Sequence, residues 1–270
     1  MNALAKLTAR MDTADSLLCV GLDSDFPRLP DAFKRYEYPL FVFNRWVIEQ
    51  THEQVCAYKL NTAFYEARGE RGGSSLRQTM EYLRLHHPDI VTICDAKRGD
   101  IGSSSDAYAR SIFDYYGFDA ATVSPYLGRE ALEPFLSRAD RACIVLCRTS
   151  NPGAAELQDL NVDGKPLWQV VAEKVATEWN AAGNCMLVVG ATYPAELGRV
   201  RALVGDLPLL VPGVGTQGGD VAAVLRAGLD SAGRGLVINA SRAVIFADDP
   251  GAAAQSLCAA INAHRPGTHR

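Results

Sequence analysis

A chain of 270 residues, 48% of them hydrophobic, can bury a substantial core and suits either one large α/β barrel or two modest domains. Its 27 basic and 31 acidic residues leave a formal charge of −4 with no basic run, which argues against a nucleic-acid groove, so an anionic ligand must be met locally. The opening MNALAKLTARMDTADS lacks the long apolar core of a secretory leader, and no later stretch reaches the ~18 apolar residues of a membrane span, so the expectation is a soluble cytoplasmic protein with no membrane partner.

In chain order, eight short apolar runs end in polar or glycine-rich punctuation: LLCVGLD, VCAYKLN, IVTICDAK, FDAATVSP, ACIVLCRTS, CMLVVGAT, LPLLVPGVG and GLVINAS. Between them, helical periodicity covers 38–54, 74–86, 105–116, 166–182, 196–204 and 220–227. Apolar strands alternating with helices predict a parallel sheet covered on its outer face, and eight such units fit a closed (β/α)8 TIM barrel, a single domain over 1–270. A doubly wound open sheet is the alternative. Polar residues gathered after almost every strand favour the barrel, because a barrel mouth converges on one site whereas an open sheet uses one switch point. The stretch 149–165, rich in Gly, Asn, Asp and Pro, reads as an elaborated loop after the fifth strand. Cys19, Cys56, Cys94, Cys143 and Cys185 lie inside apolar runs as reduced core residues, and Cys143 and Cys147 lack metal-binding spacing, so no metal site is expected.

The third run carries the chemistry. Asp95 and Lys97 are two apart, so along an extended strand both side chains point to one face. Asp100 follows Gly99, which lets the chain turn and frees Asp100 to reach elsewhere. Lys59 near the end of the second strand and Asp23 at the end of the first add charges to the same mouth, so two lysines and three carboxylates share a small volume. Alternating acid and base keeps every member ionised, and a fixed ammonium suits stabilisation and then protonation of a carbanion.

A second cluster suits phosphate. PGVGTQGGD follows the seventh strand and NASRAVIF the eighth, where many barrels hold a phosphate through backbone N–H groups. Gly213, Gly215, Gly218 and Gly219 allow close backbone approach, Gln217 can donate, and Arg242 offers a bidentate charge. The same loop matches G-x-G-x-x-G, but it follows the seventh strand, and GLVINAS ends in no acid for a ribose, so a dinucleotide site is disfavoured. Ser150 and Asn151 open the loop after the fifth strand and could contact a base or sugar, or simply form a turn. His86 and His87 before Pro88, and His264 and His269 near the end, read as cap and tail residues.

The strings CVGLDSD, YKLN, DAKRGDIG, TSNPGA, PGVGTQGGD and INASRAVI, in this order and spacing, resemble the orotidine 5′-phosphate decarboxylase family, particularly its longer bacterial branch. The resemblance implies direct, cofactor-free decarboxylation of orotidine 5′-monophosphate to uridine 5′-monophosphate, the last step of de novo pyrimidine biosynthesis. It implies Lys97 as proton donor to C6, Asp95 beside the departing carboxylate, and Lys59 linking the carboxylate network to the ribose. Asp23 would bind a ribose hydroxyl, Ser150 the pyrimidine ring, and Pro212, Gly215, Gln217, Ser241 and Arg242 the phosphate side of the nucleotide. Asp100, with Ile101 and Ser104 beside it, would reach into a neighbouring subunit's site, which implies a homodimer with shared active sites. Two departures stand out: Ser241-Arg242 where shorter members commonly have Gly-Arg, and an enlarged loop carrying Gln158 and Asn161. The alternatives are a magnesium-dependent sugar-phosphate decarboxylase of the same barrel superfamily, disfavoured by Lys59 where such relatives carry an acid, and a non-catalytic nucleotide-phosphate-binding barrel.

Overall fold

All eight apolar runs form strands, and in every one the residues short of the C-terminal end are buried or nearly so, as a sheet covered on both faces requires. The structure, a computed structural model, describes residues 1–214 and 220–266. Its strands are β1 (Leu18–Gly21), β2 (Ala57–Asn61), β3 (Val91–Arg98), β4 (Ala120–Val123), β5 (Ala142–Arg148), a small ribbon of β6 (Asn161–Val162) and β7 (Lys165–Pro166), then β8 (Cys185–Val189), β9 (Leu209–Pro212) and β10 (Leu236–Ala240). The barrel closes in the order β1-β10-β9-β8-β5-β4-β3-β2, all parallel. Val20 stands opposite Ala240 and Gly21 opposite Lys59, so the polar residues that follow β10, β1 and β2 emerge side by side at one mouth. The open-sheet alternative is thereby excluded.

The expected helices form on the outside. Three of them differ from expectation: the second runs over Gly69–His86, five residues earlier than its periodicity suggested, while the third, Gly102–Ala109, and the fourth, Leu167–Lys174, pass into wider π turns over Arg110–Tyr115 and Val175–Trp179. Among the described residues, three further helices of eight residues or more left no clear mark in the sequence. Ala3–Ala14 buries only Ala3, Leu7 and Met11, a stripe too thin to read as periodic, and closes the lower end of the barrel with Lys6 bound to Asp119 at 2.8 Å. Arg129–Leu136 is short and contains Pro134, while Pro250–Asn262 is built largely on small residues. The loop after β5 holds the β6–β7 ribbon, turned by Asp163 and Gly164, both at positive φ as a two-residue type I′ hairpin needs. Among the described residues no helix is long and apolar enough to cross a membrane.

All six cysteines in or beside barrel strands, Cys19, Cys56, Cys94, Cys143, Cys147 and Cys185, are buried and free. Burial raises every one of these thiols, Cys56, Cys147 and Cys185 to about 12, so they act as small apolar core residues.

Candidate active site

β3 does not leave the barrel as a straight strand. Its register against β4 shifts between Cys94 and Arg98, and Lys97 takes φ +48°, a left-handed backbone that costs a lysine on the order of 1–2 kcal/mol. The expected meeting of Asp95 and Lys97 occurs, but the extended geometry invoked for it does not. The amide of Lys97 donates to Thr122 Oγ1 at 2.9 Å, and that hydroxyl donates to Asp95 Oδ1 at 3.0 Å, so a threonine on β4 stitches the bulge together. Gly99 is not the turning residue either. It is needed for room, because a Cβ there would lie 2.8 Å from the Ser124 carbonyl oxygen.

From this bulge a line of charges runs across neighbouring strands. Lys97 Nζ lies 2.6 Å from Asp95 Oδ1, Lys59 Nζ lies 2.8 Å from Asp95 Oδ2, and the same ammonium lies 3.5 Å from Asp23 Oδ1. Burial by itself would raise the Asp95 carboxyl, but the ammonium groups of Lys59 and Lys97 outweigh it and hold the group well below the usual carboxylate range. Burial would likewise lower Lys59, yet Asp23 and Asp95 push it above an ordinary lysine. Asp95 and Lys59 are therefore both charged at neutral pH, and the desolvation of these two buried members is met by direct pairing.

The line continues towards β10. Ser241 Oγ donates to Asp23 Oδ2 at 2.7 Å, and Asn239 Nδ2 reaches the serine oxygen at 3.5 Å. Ser241, expected on the phosphate side, thus directs its proton to the carboxylate that follows β1. Gly21 makes this possible: a Cβ there would fall 2.0 Å from Ser241 Oγ. One cavity is lined by Asp23, Lys59, Asp95, Lys97, Ser150, Pro212, Ser241 and Arg242, eight of the expected residues. Gly213, at φ +99°, also lines it, which supports the close backbone approach expected there. Gly215 and Gln217, with Gly218 and Gly219, lie outside the described residues.

Asp100, Ile101 and Ser104 do not line this cavity. The left-handed turn at Lys97 sends the chain outward, where Asp100 Oδ1 accepts from the Ile101 amide at 2.8 Å, Ile101 is 62% exposed and Ser104 is exposed. The cavity of one chain accordingly brings together two lysines and two carboxylates, not three. His86 and His87 end the helix Gly69–His86 away from it. Sequence reasoning missed Thr122, Asn61 and Asn239, which line the cavity from β4, β2 and β10. Thr122 carried no signal, since threonine is an ordinary strand former; the asparagines, polar residues closing apolar runs, could have been noticed.

Fold and site together define a (β/α)8-barrel enzyme with a cavity lined by paired charges at its C-terminal mouth. The chain belongs to the orotidine 5′-phosphate decarboxylase / HUMPS family, whose model matches residues 16–257. Orotidine 5′-phosphate decarboxylase of Cellvibrio japonicus is 48% identical over 266 residues, 97% of each chain. That of Herpetosiphon aurantiacus is 50% identical over 245 residues, 90% of this chain and 89% of its own. Among solved structures, Leishmania donovani OMP decarboxylase superposes with a TM-score of 0.88 at 43% identity, covering 98% of this chain and 99% of that one.

Proposed function

We propose that the cavity decarboxylates orotidine 5′-monophosphate to uridine 5′-monophosphate, with Lys97 as the acid. The observation that carries this reading is the Asp95 carboxylate held between the two ammonium groups of Lys59 and Lys97. In the reaction the bond between C6 and the carboxylate breaks, carbon dioxide leaves, and the electron pair stays on C6. The Lys97 ammonium stabilises that pair and then gives it a proton, and solvent reprotonates the amine. The ionised Asp95 sits where it would repel the substrate carboxylate, and binding at the remote phosphate end supplies the energy to hold the two together. Asp23 takes a ribose hydroxyl, Ser150 the pyrimidine, and Arg242 with the backbone from Pro212 to Gly215 and Gln217 the phosphate. No cofactor enters the reaction.

The magnesium reading is weaker because the Lys59 ammonium occupies the position between Asp23 and Asp95 in which a divalent cation would have to sit. The exposed Ile101, with Tyr126 81% and Leu127 49% exposed after β4, supports a homodimer in which Asp100, Ile101 and Ser104 enter the partner's site. The buried free thiols support a reducing, cytoplasmic location. Loss of orotate absorbance on adding purified protein to orotidine 5′-monophosphate tests the reaction. Unchanged absorbance with tight nucleotide binding would instead favour a sensor, and loss of turnover on adding a chelator would restore the magnesium reading.

A further inference from the structure

Arg148, the last residue of β5, has a side chain only 3% exposed and does not line the cavity. A guanidinium buried so deeply must be answered by fixed partners. They come from two separate loops. Nη1 donates to Gln158 Oε1 at 3.3 Å, Nη2 pairs with Asp159 Oδ2 at 3.1 Å, and the guanidinium carbon lies 4.2 Å from the centre of the Tyr193 ring beyond β8.

Gln158 then turns back to the strand end. Its Oε1 also accepts the Thr149 amide at 2.9 Å, its Nε2 donates to Thr149 Oγ1 at 2.8 Å, and that hydroxyl donates to Asn151 Oδ1 at 2.6 Å. Ser150 is thus fixed from both sides along the chain. It is fixed from beneath as well: a Cβ on Gly190 would lie 2.8 Å from Ser150 Cβ and 2.9 Å from its nitrogen, and the Gly190 amide donates to the Arg148 carbonyl at 2.7 Å.

We propose that Arg148, Gln158 and Asp159 form a clasp that positions Ser150 for the pyrimidine ring, holding the enlarged loop after β5 against the barrel before substrate arrives. The clasp rests on the proposed function for the identity of the ring Ser150 meets. The enlarged loop thereby preorganises one contact, so that less ordering is left for the moment of binding.

Gln158→Ala and Asp159→Ala test it, since both positions lie in the loop after β5 and outside the cavity, and unfolding measurements on each variant separate lost positioning from lost stability. Each should raise KM for orotidine 5′-monophosphate about tenfold, the size of a lost charge-assisted hydrogen bond, and leave kcat within about twofold. Affinity for uridine 5′-monophosphate should fall by the same factor, while inhibition by ribose 5-phosphate, which has no ring for Ser150, should not change. Gln158→Glu keeps the acceptor for Arg148 and Thr149 and should recover most of the loss. Unchanged nucleotide affinity in both variants, or equal weakening of nucleotide and ribose 5-phosphate, overturns the clasp. The binding comparison needs no turnover, so failure of wild type to consume orotidine 5′-monophosphate would count against the reaction and not against the clasp.

Discussion

Lys97 reaches the Asp95 carboxylate at 2.6 Å from a left-handed backbone, φ +48°, that few lysines adopt. The strain sits on the residue assigned the proton and is held by the Thr122 hydroxyl below it. Lys97→Gly and Lys97→Ala should both lose turnover by at least 10²–10⁴-fold while retaining affinity for uridine 5′-monophosphate. The glycine variant should be the more stable of the two by about 1 kcal/mol, because glycine accepts this backbone freely. Absorbance assays and denaturant unfolding check both; near-normal turnover in either variant would refute the proton-donor role.

The same cluster sets a pH window. Asp95, depressed in the fold, contributes stability above the unfolded aspartate value of about 4, and this is lost as pH falls towards the folded value. Lys59, raised in the fold, contributes stability in full below the unfolded lysine value of about 10.4, and this is lost as pH climbs through the folded value. The pair should give a plateau between about pH 5 and pH 9. Thermal midpoints against pH should show a shallower acid slope for Asp95→Asn than for wild type; identical slopes would contradict the assignment.

Gly21 and Ser241 should prove interdependent. Gly21→Ala forces Ser241 off Asp23 and should cost about 1–3 kcal/mol of stability, as overpacking does elsewhere. Adding Ser241→Gly removes the clash, so the double variant should be more stable than the sum of the two single changes predicts. Strict additivity in a double-mutant cycle would show that the two side chains do not meet.

The proposed sharing of sites between subunits is open to a complementation test. Asp100→Ala and Lys97→Ala should each be inactive alone. An equal mixture, unfolded and refolded together, should regain roughly a quarter of wild-type activity, because half the dimers are mixed and each carries one intact site. No recovery, with dimers present by gel filtration, would place Asp100 outside the partner's site.

The barrel was legible because its strands are apolar on both faces and few other architectures need eight such runs; of the three missed helices, Ala3–Ala14 and Pro250–Asn262 bury too few large residues to leave a stripe, and Arg129–Leu136 is short and interrupted by Pro134. Within the site, charged residues closing apolar strands were the readable signal, and Asp23, Lys59, Asp95 and Lys97 meet as expected. What stayed hidden depends on neighbours distant in sequence. The left-handed turn at Lys97 answers to Thr122 on β4, the need for Gly21 answers to Ser241 beyond β10, and the burial of Arg148 answers to a loop. No spacing rule encodes such relations.

The hydrogen bond between Asp23 and Ser241 joins residues 218 apart in the chain, across the seam where the first strand meets the last. Closing so long a loop is entropically late work in folding. The binding pocket therefore cannot mature piecemeal as the chain emerges during synthesis: nucleotide affinity should appear only with the final strand in place, which makes ligand binding a reporter of completed closure.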